Sequence, residues 1–122
     1  MNKLTIADIL ERKNVIKPLA LTFKSEVLGG EIEIKKVSPD KISEIITEAE
    51  RLGQYKTYCK LIYSCCPIFS AKELHETFKT VEPFEIVDKI YDTNMNEVYS
   101  LGNHILTIYG FLPRTDIKKV KK

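Results

Sequence analysis

Cysteine is scarce in this 122-residue sequence, and the few cysteines present match no known site pattern. Cys59, Cys65 and Cys66 are odd in number and no secretory leader pattern precedes them, so we expect no disulfide framework. Their spacing also differs from the C-x₂-C arrangement of zinc sites and redox thiols. All three fall at helical core spacing, which predicts packed free thiols in a reducing cytoplasm.

Long hydrophobic runs and catalytic motifs are also missing. The longest apolar stretch, LIYSCCPIF, is too short and too interrupted to span a bilayer, so we expect no membrane partner. None of the common phosphate-loop, dinucleotide or zinc-protease motifs occurs. The pattern places no acid or nucleophile beside His75 or His104, and we interpret both as structural. We therefore expect a protein that is not an enzyme and holds no cofactor or metal.

Positive charge is concentrated at the end of the chain. The net charge is +2, but residues 114–122 alone carry +4, from Arg114 and four lysines set against Asp116, so residues 1–113 carry −2. We predict a single domain over residues 1–113 and a flexible basic tail over 114–122. Because the domain lacks a basic stripe, we do not expect a nucleic-acid partner. The alternative, a small nucleic-acid-binding or regulatory protein of a mobile element, requires salt-sensitive binding through the tail.

Apolar residues recur at helical spacing along most of the sequence. Thr5 and Asp8 have the spacing of a capping box for a first helix. Ser38 is placed to cap a second helix that ends at Gly53, and a third helix runs from there to Pro67.

Three further helical segments are predicted in the second half of the chain. Ser70 and Glu73 form a capping box for one helix, Pro83 begins the next, and Asn94 with Glu97 caps the last. The predicted inward residues are Ala71, Leu74, Phe78 and Val81 in the first of these helices, and Val98, Leu101, Gly102, Ile105, Ile108 and Tyr109 in the last.

One β-hairpin interrupts the helical pattern, at SEVLGGEIEIKK. The glycine pair at 29–30 suits a two-residue turn that places Leu28 opposite Glu31 and Val27 opposite Ile32. The hairpin then has one apolar face that needs a cover of helices, and two outer edges open to another chain or a second copy. That face comprises Leu19, Leu21, Phe23, Val27, Ile32 and Ile34. The predicted fold class is mainly α with one N-terminal β-hairpin (α+β), a small bundle of about five helices.

The helix FEIVDKIY after Pro83 carries a wider apolar arc than the others, about 160°. Such a helix is either sandwiched between neighbours or partly exposed, and an exposed arc would suit a partner. Together with the hairpin, it is our candidate binding surface. The predicted partner-binding residues are Phe84, Ile86, Val87, Ile90, Tyr91, Val27, Leu28 and Ile32.

Three stretches of the chain resemble one protein family. They are KLTIADILERK at 3–13, LGGEIEIKKVSPDKISEI at 28–45, and PFEIVDKIY with EVYSLGNHILTIYGF between 83 and 111. Together they cover over a third of the chain and are similar to the XkdN-like tail assembly chaperones of phages and defective prophages with contractile tails. The resemblance implies a small cytoplasmic protein that binds the tape measure protein, and meets tail tube subunits, until the tube forms. It assigns no binding residue, catalytic residue or cofactor.

Overall fold

Helices make up most of the structure. The computed structural model describes residues 3–15 and 21–111 of the chain. The elements in chain order are α1 (Ile6–Val15), β1 (Thr22–Ser25), β2 (Gly30–Glu33), α2 (Pro39–Thr47), α3 (Ala49–Leu52), α4 (Gln54–Cys65), α5 (Lys72–Thr77), α6 (Ile86–Tyr91) and α7 (Met95–Ile108). Short 3₁₀ turns over Pro67–Ser70 and Pro83–Glu85 precede α5 and α6. The predicted class, mainly α with one N-terminal β-hairpin, is confirmed; the predicted tail over 114–122 lies outside the described residues.

The described part of the chain contains seven α-helices, where the sequence predicted about five. The predicted helix that begins after Ser38 is in fact two helices, because it is interrupted at Glu48 between α2 and α3. The carboxylate of Glu48 accepts a hydrogen bond from Lys60 Nζ on α4 at 2.6 Å, which ties this break to the next helix. None of the helices within 3–15 and 21–111 is long and apolar enough to cross a bilayer.

Helix α4 lies at the centre of the fold and packs against α2, α3, α6 and α7. Cys59, Ile62 and Cys65 form a buried stripe along α4, as the helical spacing of the cysteines predicted. Leu61 and Thr57, which lie off that stripe, are buried too, because neighbouring helices cover α4 on more than one side. The Thr57 hydroxyl donates to the Gly53 carbonyl oxygen at 2.7 Å, so its burial leaves no unpaired polar group.

The two strands pair in a different register from the predicted one. Phe23 lies opposite Ile32, and Ser25 lies opposite Gly30, so the connection is the four-residue turn 26–29 and not the glycine pair alone. Only Gly29 of that pair has a positive φ, of 79°. Consequently Val27 lies exposed in the turn instead of on the inner face, where Ser25 takes its place.

The rest of the predicted hairpin pattern is largely confirmed. Ile32 and Ile34 are buried and Phe23 is half-buried, on the side that faces the helices. The alternate positions Thr22, Lys24, Glu31 and Glu33 are exposed. Leu21, predicted inside, is 42% exposed, and Leu19 lies outside the described residues.

Two of the predicted helix caps are confirmed. At the start of α1 the Asp8 backbone N–H donates to Thr5 Oγ1 at 3.1 Å, and the Thr5 N–H donates to Asp8 Oδ2 at 3.0 Å, which is a reciprocal capping box. At the start of α2 the Lys41 N–H donates to Ser38 Oγ at 3.3 Å. Local patterns of this kind are readable from sequence because both partners lie within one turn.

The predicted cap at Ser70 is wrong. Its hydroxyl donates to the Pro67 carbonyl oxygen at 2.8 Å inside the 3₁₀ turn, and α5 begins only at Lys72. Because α5 also ends early, at Thr77, two of its predicted inward residues lie outside the core: Phe78 is 36% exposed and Val81 is 92% exposed.

Gly102 lets α7 cross α4 at short range. A Cβ atom added at Gly102 would lie 2.3 Å from Cδ2 of the Tyr58 ring, far inside van der Waals contact. Tyr58 is held in this position because its hydroxyl donates to Asn103 Oδ1 at 2.6 Å and its ring packs edge-on against Tyr99. The place of Gly102 on the inner stripe of α7, which the sequence predicted, therefore has a steric reason.

We expect the substitution Gly102→Ala to lower the free energy of unfolding by about 1–3 kcal/mol, because Tyr58 or α7 must shift to admit the methyl group. Urea denaturation measures the change. Ser100→Ala, at an exposed site on the same helix, is the matched control and should change stability by less than about 0.5 kcal/mol. A Gly102→Ala protein as stable as wild type would show that the gain in helix propensity outweighs the clash.

Candidate binding groove

The hairpin turn is built around the side chain of Glu97, in the first turn of α7. Glu97 Oε1 accepts hydrogen bonds from the backbone N–H groups of Glu26 and Val27, each at 3.1 Å. Glu97 Oε2 accepts from the hydroxyl of Tyr91 at 2.7 Å and from that of Ser25. The sequence predicted that Glu97 would complete a cap with Asn94, and this is wrong, since its carboxylate reaches the hairpin instead.

Burial and hydrogen bonding act in opposite directions on Glu97. The residue is 9% exposed, and burial by itself raises the pKa of a carboxyl group. The hydrogen bonds from Ser25, Tyr91 and the two backbone amides favour the charged form more strongly, so the net effect lowers the pKa below its ordinary value of 4.5. Burial raises the pKa of the Tyr91 hydroxyl, which keeps it protonated as a donor. The cluster therefore holds a carboxylate with four donors.

Ser25 continues this network into the rest of the turn. Its hydroxyl oxygen accepts from the Leu28 N–H at 3.0 Å, and its carbonyl oxygen accepts from the Gly29 N–H at 2.9 Å. The four-residue turn is consequently held at Leu28 and Gly29 by Ser25 and at Glu26 and Val27 by Glu97. This arrangement sets the position of Leu28, whose side chain is 43% exposed.

Leu28 forms one wall of an open, mostly apolar groove of ≈ 340 Å³. The other walls come from β2, the 3₁₀ turn after α4, α5 with the residue after it, and α6. Three of the apolar lining side chains remain well exposed: Ile68 at 57%, Leu28 at 43% and Phe78 at 36%. The lining residues are Leu28, Gly30, Glu31, Ile32, Ile68, Phe69, Leu74, Phe78 and Ile90. A groove of this kind can take apolar side chains from another polypeptide.

The groove joins parts of both regions predicted to bind a partner. Leu28 and Ile32 from the hairpin and Ile90 from α6 all line it. Val27 lies beside Leu28 in the turn and is 44% exposed.

The remaining predicted binding residues are in the core, and that part of the prediction is corrected. Phe84 is 8% exposed, and Ile86, Val87 and Tyr91 are 1% exposed or less. The wide arc of α6 is mostly sandwiched, because α6 packs against α4 and four of the arc's apolar residues are buried, while Ile90 lines the groove. Ile32 is also almost fully buried, at 3%, and contributes only the floor of the groove.

Six of the nine lining residues were not predicted to bind: Gly30, Glu31, Ile68, Phe69, Leu74 and Phe78. Leu74 and Phe78 were predicted to lie on the inward face of a longer helix. Helix α5 ends at Thr77 and buries neither of them. Ile68 follows Pro67 in the longest apolar stretch of the sequence. Because that stretch continues past the end of a helix, it could have indicated an exposed apolar surface.

The two histidines, the other candidate chemical groups, each lie beside an aromatic ring. Nε2 of His75 lies 3.0 Å from the carbonyl oxygen of Phe69, and the ring packs edge-on against Tyr63. The centroids of the His104 and Phe23 rings are 6.2 Å apart.

The cysteines are buried, as predicted. Burial raises the pKa of Cys59 and Cys66 to about 12 and that of Cys65 to about 11, so the reactive thiolate is scarce at neutral pH. No group of three or more His, Cys, Asp or Glu side chains among residues 3–11 and 21–111 is arranged to hold a metal ion.

The hairpin has two strands, so each has an outer edge. The chain after β2 is tied to the body, because the Lys35 N–H donates to the Cys65 carbonyl oxygen at 2.6 Å. On the outer face Lys24 lies opposite Glu31. Self-association through these edges stays a prediction.

Comparison of the chain with protein-family models gives no match, and comparisons with curated proteins and with solved structures give none either. The resemblance to the XkdN-like chaperones is therefore a hypothesis that rests on the residues quoted for it.

We expect Glu97→Gln to lower the free energy of unfolding by about 2 kcal/mol or more, since the four donors lose a charged acceptor in a buried site. Chemical denaturation at neutral pH measures the loss. Glu31→Gln, on the exposed face of the same hairpin, is the control and should leave stability nearly unchanged. Equal effects of the two substitutions would contradict the role given to Glu97.

The contribution of Glu97 to stability should also depend on pH. Because folding lowers its pKa, the contribution is complete above the ordinary value of 4.5 and is lost as the pH falls through the folded-state value. The difference in unfolding free energy between wild type and Glu97→Gln should therefore narrow on going from about pH 7 to about pH 3. A difference that stays constant over this range would mean that the carboxylate charge does not stabilise the turn.

Proposed function

We propose that this protein is an assembly chaperone for the tail of a phage or a phage tail-like particle. In this proposal it works in the cytoplasm of the bacterial host, where it binds the tape measure protein and keeps it soluble until tail tube subunits polymerise around it. The sequence resemblance suggests the family, and the exposed apolar groove between the hairpin and α5 and α6 is the observation that carries the proposal.

The groove suits the side chains of a helix. A tape measure protein is a long, largely helical chain whose apolar stripes promote aggregation, and a helix laid over a groove contributes residues at i, i+3 and i+4. Ile68 and Phe78 expose apolar surface at the groove, and Leu28 does so from the hairpin turn. Covering such a stripe would remove apolar surface from water on both molecules.

The size of the groove suits reversible binding. Its volume of ≈ 340 Å³ lies at the low end of the range of about 300–1,000 Å³ for ligand pockets, so it accepts a few side chains and not a whole helix. Contacts of that extent give weak binding at each site, because association must first offset the lost freedom of both partners. Several copies along one tape measure chain would cover it and still be replaced by tube subunits.

The proposal requires surfaces and no catalytic step. His75 is engaged with the Phe69 carbonyl, and the three cysteine thiols are buried with raised pKa values. We accordingly propose a protein that is not an enzyme.

Co-expression with a tagged tape measure chain tests the proposal. Wild type should keep the tape measure soluble and co-purify with it, whereas Ile68→Glu should recover about tenfold less complex, since an apolar contact worth about 1.5 kcal/mol or more is lost. Val81→Glu is the matched control, because Val81 is apolar, 92% exposed and outside the groove lining, and it should behave as wild type.

Absence of a complex when both chains are folded would refute the chaperone function. A complex that forms equally well with both variants would place binding elsewhere than the groove. Far-ultraviolet circular dichroism of each variant checks that the fold is retained, which is expected because Ile68 is already 57% exposed.

A further inference from the structure

The apolar stripe at the start of α1 is uncovered. Leu4, which precedes the helix, is 71% exposed, and Ile6, Ile9 and Leu10 are 77%, 54% and 58% exposed, so these four stripe residues face water although their spacing is that of a buried helix. A helix of ten residues is marginally stable in water by itself, since isolated helices shorter than about 12–15 residues rarely hold together. The capping box at Thr5 and Asp8 defines where α1 begins but does not shield its stripe.

We infer that α1 of one copy docks in the groove of a second copy, and that two chains exchange these helices to form a symmetric dimer. The occupant is thus a segment of this protein itself, bound through Ile6, Ile9 and Leu10. The contact would cover the exposed helix and the exposed groove at the same time, so a tape measure helix could enter the groove only after α1 of the other copy leaves it.

The dimensions of the two surfaces agree. The residues Ile6 to Leu10 extend over about 6 Å of helix, at 1.5 Å per residue, and project three branched apolar side chains from one side. The groove takes a few side chains of this kind, and its lining includes one charged residue, Glu31.

A second copy is favoured as the partner of α1 for two reasons: the exposure of the α1 stripe in the single chain, and the surface area that a stable interface must bury. In the single chain all four stripe residues are open, so the groove of the same molecule does not cover them. One short helix in one small groove buries much less than the roughly 1,200 Å² of a stable interface, but reciprocal exchange doubles the buried area. Exchange of an identical element is also a low-cost route to a symmetric dimer.

A second recess of ≈ 420 Å³ is a weaker candidate for α1. It is lined by Ile46, Ala49, Glu50, Gln54, Thr57, Tyr58, Leu61, Leu106 and Phe111. Among its large apolar side chains Leu61 and Leu106 are buried, and Phe111 is the well-exposed one. The groove at the hairpin exposes three such side chains and therefore gains more from being covered.

Light scattering coupled to size-exclusion chromatography of the purified full chain, over a range of concentrations, tests this inference. We expect wild type to be a dimer that dissociates on dilution. Ile9→Glu should raise the dimer dissociation constant by about 100-fold or more, because each of the two docked helices loses an apolar contact. Glu11→Lys, with a larger change of charge on the other side of α1, is the matched control and should remain dimeric.

Ile68→Glu in the groove should weaken the dimer as Ile9→Glu does. Mixing the two variants gives the sharpest test, because a mixed dimer keeps one intact helix and one intact groove that can still meet. The mixture should therefore dimerise more strongly than either variant alone. Its affinity should correspond to one intact helix–groove contact, whereas the wild-type dimer has two.

A wild-type chain that stays monomeric at every concentration would overturn the inference. So would a dimer that responds to Ile9→Glu but not to Ile68→Glu, which would mean that α1 pairs with α1 or docks elsewhere. The measurement uses this protein alone, so its outcome is separate from that of the tape measure experiment.

Discussion

The carboxylate of Glu97 joins the hairpin to the helical body. Three of its four hydrogen bonds come from the hairpin, from Ser25, Glu26 and Val27, and the fourth comes from Tyr91 on α6. A two-stranded hairpin is marginal in water, and a buried carboxylate is costly unless its oxygens are paired. Here the two requirements are met together, because the hairpin turn supplies hydrogen-bond donors and Glu97 on α7 supplies the acceptor. The position of Leu28, and with it one wall of the groove, depends on this exchange.

The sequence predicted well wherever both partners of an interaction lie within one helical turn or alternate along one strand. The Thr5–Asp8 box, the Ser38 cap and the burial of Ile32 and Ile34 are of this kind. Glu97 is different, because its spacing from Asn94 is that of a capping box, yet its partners lie about seventy positions earlier in the chain. Local periodicity contains no information on hydrogen-bond partners that are distant in sequence. The hairpin turn and its register were mispredicted because the turn depends on such a partner, Glu97.

The groove could be predicted only in part for a related reason. A wide apolar arc shows that a helix carries more apolar surface than one neighbour can cover, but it does not show how many neighbours there are. For α6 the arc is covered, and of its apolar residues Ile90 lines the groove. The other walls come from segments separate in sequence, including Ile68 in a 3₁₀ turn and Phe78 after α5. A surface assembled from four separate segments has no single pattern by which the sequence could reveal it.

Part of the groove is built from less deeply buried segments of the fold. Helix α5 has no fully buried residue and the strands have four residues each, whereas α4 and α7 carry side chains such as Ile62 and Leu101 that are wholly inside. Segments with few buried apolar contacts open at low free-energy cost, while the centre of a packed core resists change. The walls of the groove can therefore adjust to an incoming helix without disturbing the core. In the proposed function the groove would hold an apolar segment and later release it, and this combination of an adaptable rim and a fixed interior would suit that task.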